Sequence, residues 1–278
     1  MRFKRVCCVI SCWTLFITMV ACQKEIGTAA PVRFCDMPVA NLDLPVLSAN
    51  EDPYLEYMVN AYNQQVYRTH PLSQSYTSGR IVVGDSRCCQ LGLYQQQTGG
   101  HAFAVFALTG GHYVNTMPYI CTDEFYQSVE DCFHAQIEAK GKCDIFFFAT
   151  VNDYDFLHNE NEDNVDSAIT CAEKLASMQY EYNGKYYRPT VTVIGLVAGS
   201  RDRLVIGYEP SIFNRYEGRY NRLLRRKLLK SPILKDSAYR WTTVPEILKN
   251  RIEFTEDGLH FDESTLRRLA SYIKYTSQ

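Results

Sequence analysis

The 278-residue chain has 11 cysteines but no C-x-x-C pair, so neither a zinc knuckle nor a thioredoxin-type motif is supported. His101, His112, His134 and His158 show no H-x-x-x-H spacing, and each reads as a surface or packed residue rather than a metal ligand. The acidic run from Asn159 to Asp166 lacks the D-x-[DN]-x-[DN]-G calcium loop and reads as the polar start of a helix. No metal and no cofactor is expected. An excess of one charge is missing too: 29 Lys and Arg stand against 31 Asp and Glu, a formal net charge of −2. No global basic field therefore points to nucleic acid. The local basic stretch Arg219 to Lys230, with Arg222, Arg225, Arg226 and Lys227, reads as a solvated helix face; its alternative is a contact with anionic lipid or wall polymer. No internal repeat or long low-complexity segment occurs, and 46% hydrophobic with 22% charged residues is ordinary for a globular protein. The 20 tyrosines read mainly as half-buried residues, although exposed tyrosines also line carbohydrate and peptide sites.

The N-terminus carries an address rather than a fold. Met1-Arg2-Phe3-Lys4-Arg5 is a short basic region, and Val6 to Ala21 is an uncharged apolar run. The run is shorter than a typical spanning helix and reads as the apolar core of a signal peptide. It ends in Met19-Val20-Ala21-Cys22, which resembles a bacterial lipobox with Cys22 as the lipidation site. The alternative is an uncleaved membrane anchor. Both readings export the remaining chain and tether it to a membrane. Residues 1–22 are thus a signal or anchor, residues 23–75 a tether with a leading helix over Asp52 to Tyr67, and residues 76–278 the catalytic domain. Beyond the signal and Cys22 lie Cys35, Cys88, Cys89, Cys121, Cys132, Cys143 and Cys171. The set is odd, so at least one thiol is free, and the spacing assigns no pairing. The vicinal Cys88 and Cys89 read as small apolar residues packing the first helix of the domain.

Strand and helix signals alternate from there. Arg80 to Gly84, His101 to Leu108, Asp144 to Val151 and Thr190 to Val197 read as strands, with Tyr239 to Val244 a weaker fifth. Helical periodicity falls after Gly84 and over Thr122–Lys140, Asn161–Tyr180, Pro210–Leu229 and Glu263–Tyr275. Such alternation implies an α/β domain with a mostly parallel sheet covered on both faces. Sites in such sheets form beyond the C-terminal ends of the strands.

Three motifs fall at those ends. Gly84-Asp85-Ser86 follows the first strand and opens a helix, where helix-terminal N–H groups favour developing negative charge. The tripeptide is also a common turn, and Ser is a good N-cap. Asp257-Gly258-Leu259-His260 precedes the last helix. Its aspartate and histidine can face one serine, which needs a base to take its proton and a carboxylate to orient that base. Thr150-Val151-Asn152-Asp153 follows the third strand; the Asn152 amide there, with the backbone N–H groups of Ser86 and Gly111, would make an oxyanion hole. His112, beside Gly111, is a possible substrate contact.

In order and spacing these blocks resemble the SGNH (GDSL-like) hydrolase superfamily: Ser86 after strand one, Gly110-Gly111 after strand two, Asn152 after strand three, Asp257 and His260 before the final helix. The resemblance implies a three-layer α/β/α, flavodoxin-like fold with a mostly parallel five-stranded sheet. It also implies ester hydrolysis through an acyl-serine intermediate, with Ser86 as nucleophile, His260 as general base and Asp257 orienting it. Gly111, or the adjacent Gly110, and Asn152 would complete the oxyanion hole with Ser86. Two positions depart from the pattern: Arg87 stands where Leu is usual after the serine, and Thr150 stands where the third block usually begins with Gly. The expected substrate is an O-acylated, most simply O-acetylated, carbohydrate or another small ester. Acyl transfer to a surface polysaccharide and a surface binding module of low turnover are the alternatives.

Overall fold

A computed structural model describes residues 78–98, 102–107, 111–113, 120–153, 161–197, 199–200, 210–237 and 239–276. The signal segment, Cys22, Cys35, the tether and the leading helix lie outside the described residues. In chain order the first elements are β1 (Arg80–Gly84), α1 (Ser86–Gln97), β2 (Ala104–Ala107), α2 (Asp123–Lys140), β3 (Asp144–Phe148) and a 3-10 turn (Val151–Asp153). Then come α3 (Asn161–Ala176), β4 (Tyr180–Tyr182), β5 (Lys185–Tyr187) and β6 (Thr190–Ile194). The chain continues with α4 (Pro210–Leu228), α5 (Pro232–Asp236), β7 (Arg240–Thr242), α6 (Val244–Leu248) and α7 (Glu263–Tyr275).

Five strands make one parallel sheet in the order β2-β1-β3-β6-β7. Runs such as Ile145-Phe146-Phe147-Phe148 are buried on both faces, which is why they show no apolar–polar alternation. The two faces build separate cores. Ile81, Val83, Ile145, Phe147, Val191 and Val193 pack against α2, α3 and α4 through residues such as Phe125, Phe133, Leu175 and Leu224. Val82, Val105, Phe146, Phe148 and Ile194 pack on the opposite side against α1, α6 and α7 through Leu91, Val244, Leu269 and Ile273. The result is the expected three-layer α/β/α arrangement. Counting sheet strands alone, the order is 2-1-3-4-5, and the chain reverses direction across the sheet at β1. In a sheet of this order, sites form at that point, beyond the C-terminal ends of β1 and β3.

Local signals account for the helix ends. Thr122 caps α2, accepting from the Phe125 amide at 3.1 Å, and Gly141 closes it at φ 69°. Asp262 caps α7, accepting from the Thr265 amide at 2.8 Å. The third long helix ends at Ala176 rather than at Tyr180, because an antiparallel hairpin of β4 and β5 follows. Its turn is Asn183-Gly184, at φ 52° and 73°, the pair that a tight hairpin with positive φ at both central residues favours.

Cys121 and Cys171 form a disulfide between the entry to α2 and helix α3. Cys88, Cys132 and Cys143 are free and buried, and Cys88 and Cys89 are both packed in the core beside Leu91, so the vicinal pair is helix packing, as expected. Burial pushes the Cys132 thiol up to about 12, which holds it protonated and unreactive. On α4 the basic stretch divides by face: Tyr220, Leu224 and Leu228 are buried, while Arg222, Arg225 and Arg226 are exposed. Among the described residues no helix is long and apolar enough to cross a membrane.

Candidate active site

The site starts where β1 stops. The absence of a side chain at Gly84 lets α1 turn in closely, since a Cβ there would collide with the Cys88 side chain. The Asp85 carbonyl accepts from the Cys88 amide at 2.9 Å and the Cys89 amide at 3.1 Å, which starts α1. One Asp85 carboxyl oxygen accepts from the Arg87 amide at 3.1 Å. Ser86 is thereby set on the first turn of α1, only 6% exposed.

The partner loop comes from the other end of the sequence. Phe254 and Phe261 form an antiparallel bridge, and between them Gly258 adopts φ 71°. That left-handed residue turns the loop so that one Asp257 oxygen accepts from the Leu259 amide at 2.8 Å, the His260 amide at 2.9 Å and the Thr255 hydroxyl at 2.7 Å. The second Asp257 oxygen lies 2.6 Å from His260 Nδ1. His260 Nε2 in turn lies 2.9 Å from Ser86 Oγ. Burial by itself would raise the Asp257 pKa. The hydrogen bond and charge of His260, then the Thr255 hydroxyl, outweigh it and hold the carboxyl well below the usual carboxylate range. The three residues picked from sequence thus form one continuous hydrogen-bonded line across 174 positions of chain.

The oxyanion side is joined through Thr150. Its side chain is wholly buried. The hydroxyl lies 2.8 Å from an Asp85 carboxyl oxygen and 3.1 Å from the Gly111 carbonyl, so its single proton serves one of these acceptors. It accepts from the Asn152 backbone amide at 3.1 Å and from the Asn152 side-chain amide at 3.0 Å. Asn152 also donates to the Gly111 carbonyl at 3.1 Å. One threonine therefore binds together the loops after β1, β2 and β3. His112 stands beside this cluster, its Nδ1 at 3.3 Å from Asp153, and the Asp153 carboxylate also accepts from the Tyr113 amide at 3.1 and 3.0 Å. Among the described residues no group of three or more His, Cys, Asp or Glu side chains is arranged to hold a metal ion.

Several residues that sequence reading left aside matter here. Thr255, two positions before Asp257, braces its carboxylate. Asp85 gathers Thr150 and the Arg87 amide. Arg87 reaches the Asp257–His260 loop. Asp85 and Arg87 both lay inside the first block, Arg87 as a departure from it; the contacts of Thr255 and Arg87 are set by the fold and leave no local pattern.

No family model and no curated protein sequence matches the chain. Among solved structures it is similar to an aryl esterase from M. smegmatis, at 13% identity over 71% of this chain and 97% of that one, with a TM-score of 0.46. It is also similar to a carbohydrate acetylesterase from Sinorhizobium meliloti, at 14% identity over 71% of this chain and 97% of the other, TM-score 0.41. A GDSL-like lipase candidate from Bacteroides ovatus aligns at 13% identity over 70% of this chain and 51% of its own, TM-score 0.43. The strand order, with Ser86 after β1, Asn152 after β3 and Asp257–His260 before α7, decides the architecture. The fold is a three-layer α/β/α arrangement on a five-stranded parallel sheet. On this fold Ser86 opens α1 directly after β1, Asn152 lies in the 3-10 turn after β3, and Asp257 and His260 lie in the loop before α7. The Gly111 carbonyl lies between Thr150 and Asn152.

Proposed function

We propose that the chain is a serine esterase that hydrolyses acyl esters through an acyl-serine intermediate, with an O-acetylated carbohydrate as its substrate class. The observation that carries the reading is the Ser86–His260–Asp257 line, with contacts of 2.9 and 2.6 Å. A serine hydroxyl is a poor nucleophile until a base takes its proton. His260 Nε2 stands where it can do so as Ser86 Oγ attacks the ester carbonyl carbon. Asp257 fixes the tautomer with the proton on Nδ1 and favours the imidazolium that forms. The carbonyl oxygen becomes an oxyanion, met by the backbone N–H groups of Ser86 and Gly111 and by the Asn152 amide, which turns from one of its present acceptors. The tetrahedral intermediate collapses as His260 returns the proton to the leaving alcohol. Water, deprotonated by His260, then releases the acid and restores Ser86. His112, braced by Asp153, is a substrate contact in this reading.

The acetyl group and the carbohydrate are suggested by the Sinorhizobium meliloti neighbour, a carbohydrate acetylesterase, and by the expected export. The test is hydrolysis of a p-nitrophenyl ester series from acetyl upward. The wild-type chain is expected to prefer the shortest acyl groups, and Ser86→Ala to lose at least about 1,000-fold in kcat. Equal rates for the two proteins would end the serine-esterase reading.

We further propose that the enzyme is exported and held on the outer face of the membrane through lipid on Cys22. The basic region, apolar run and lipobox-like Met19-Val20-Ala21-Cys22 support this. Cells fed labelled palmitate should label the wild-type protein and not Cys22→Ser; equal labelling would refute it.

A further inference from the structure

The residue after Ser86 is an arginine, and it is buried, only 4% exposed. Arg87 Nε donates to the Leu259 carbonyl at 3.1 Å. Its Nη1 donates to the Val197 carbonyl, just beyond β6, at 2.7 Å. The guanidinium also lies over the Phe261 ring, with Cζ 5.2 Å from the ring centre. Leu259 and Phe261 are the two neighbours of His260 in the chain. One planar cation therefore holds the backbone before His260 and the side chain after it, from a position adjacent to Ser86. The same Val197 loop reaches the catalytic loop a second time, through the Ser200 amide donating to the Gly258 carbonyl at 2.5 Å.

Stability alone does not account for an arginine here. Desolvation lowers the guanidinium pKa, against the opposing charges of Asp85, Glu217 and Asp257. Its Nη2 is buried without a hydrogen-bond partner. A buried charge that replaces an apolar side chain is a poor stabiliser, and its best-attested gain is a unique arrangement of the groups around it. A planar fork suits that task, because it fixes two carbonyl directions and stacks on a ring, which neither leucine nor lysine does.

We propose that Arg87 is the positioning residue of this site: it holds His260 in register with Ser86 by gripping the loop on both sides of the histidine. It acts through the loop and not on substrate. The proposal rests on the esterase reading, with Ser86 as nucleophile and His260 as base.

The test compares Arg87→Met and Arg87→Lys with the wild-type full chain, reading kcat, KM, melting temperature and the downfield proton resonance of His260 Nδ1, assigned by its loss in His260→Ala. Arg87→Met keeps the volume and removes both donors. It is expected to melt within a few degrees of wild type, hold KM within about twofold and lose about 30-fold in kcat, the size of effect a small misalignment produces. Its Nδ1 resonance is expected to broaden or vanish. Arg87→Lys, which reaches one carbonyl but cannot stack as a plane, is expected to fall between the two. Wild-type kcat and a sharp Nδ1 resonance in Arg87→Met overturn the proposal. So does a loss of kcat matched by a comparable loss of melting temperature in both variants, because that is a merely structural role. Should Arg87→Met not fold, wild-type kcat in Arg87→Lys overturns it. The resonance separates the two claims: an inert wild-type chain refutes the esterase reading, whereas an unchanged Nδ1 signal in the variants refutes only the role of Arg87.

Discussion

Both oxygens of Asp257 are occupied, one by three donors and the other by His260 Nδ1. The ionised form is the one these donors favour, and the folded-state pKa is depressed as a result. A depressed carboxyl pKa stabilises the folded state fully above the unfolded value, about 4 for Asp. That contribution is lost as pH falls through the lower folded value. The difference in melting temperature between wild type and Asp257→Asn should therefore shrink steadily as the pH is lowered from about 4 to about 2. Calorimetry at stepped pH checks this; a difference that grows over that range contradicts it. At the same scale, Thr150 shows how a residue can depart from a motif and keep its purpose. From sequence its branched side chain stood as a departure on the oxyanion side. In the fold its hydroxyl points back into the protein, linking Asp85, Gly111 and Asn152. A hydroxyl's direction depends on which loops surround it, so this was not legible before the loops were placed.

At the level of elements, the turn from Asp257 to His260 decides whether the carboxylate and imidazole meet. Gly258 holds φ 71° there, a region in which a side-chain-bearing residue costs about 1–2 kcal/mol. Gly258→Ala should therefore lower stability by about that amount and reduce kcat by about tenfold or more, since misplaced catalytic groups cost rate out of proportion to stability. Thermal melts and steady-state kinetics on p-nitrophenyl acetate read both; unchanged kcat would show that the turn does not align the site. The long elements were readable from apolar spacing, and α7 was expected over the very residues it occupies, Glu263–Tyr275. The hairpin of β4 and β5 was not, although Asn183-Gly184 between tyrosine-rich runs is a recognisable turn signal. Helical spacing running on from α3 masked it. The short helices α5 and α6 were also missed, each being too brief to show a period.

Over the whole molecule, the sheet order brings residues far apart in sequence into one hydrogen-bonded line. Ser86 and His260 belong to α1 and to the loop before α7, and both helices lie in the same layer, packed on the Val82–Phe146 face of the sheet. That shared layer is why a serine near the start of the domain and a histidine near its end can meet. Arg80 strengthens the arrangement: from β1 its guanidinium donates to the carbonyls of Ile273 and Thr276 at the end of α7. The order of the motifs was legible because it follows strand order; the contacts that lock them, through Arg80, Arg87 and Thr255, were not, because they join surfaces that only folding creates.

The central claim is that Ser86 is a nucleophile activated by His260. A fluorophosphonate probe followed by peptide mass mapping tests it most directly, because the probe reacts covalently only with an activated serine. The account predicts a single adduct on the peptide carrying Ser86, absent in Ser86→Ala and slowed by at least about 100-fold in His260→Ala. No adduct on Ser86, or one formed as fast without His260 as with it, would contradict the account.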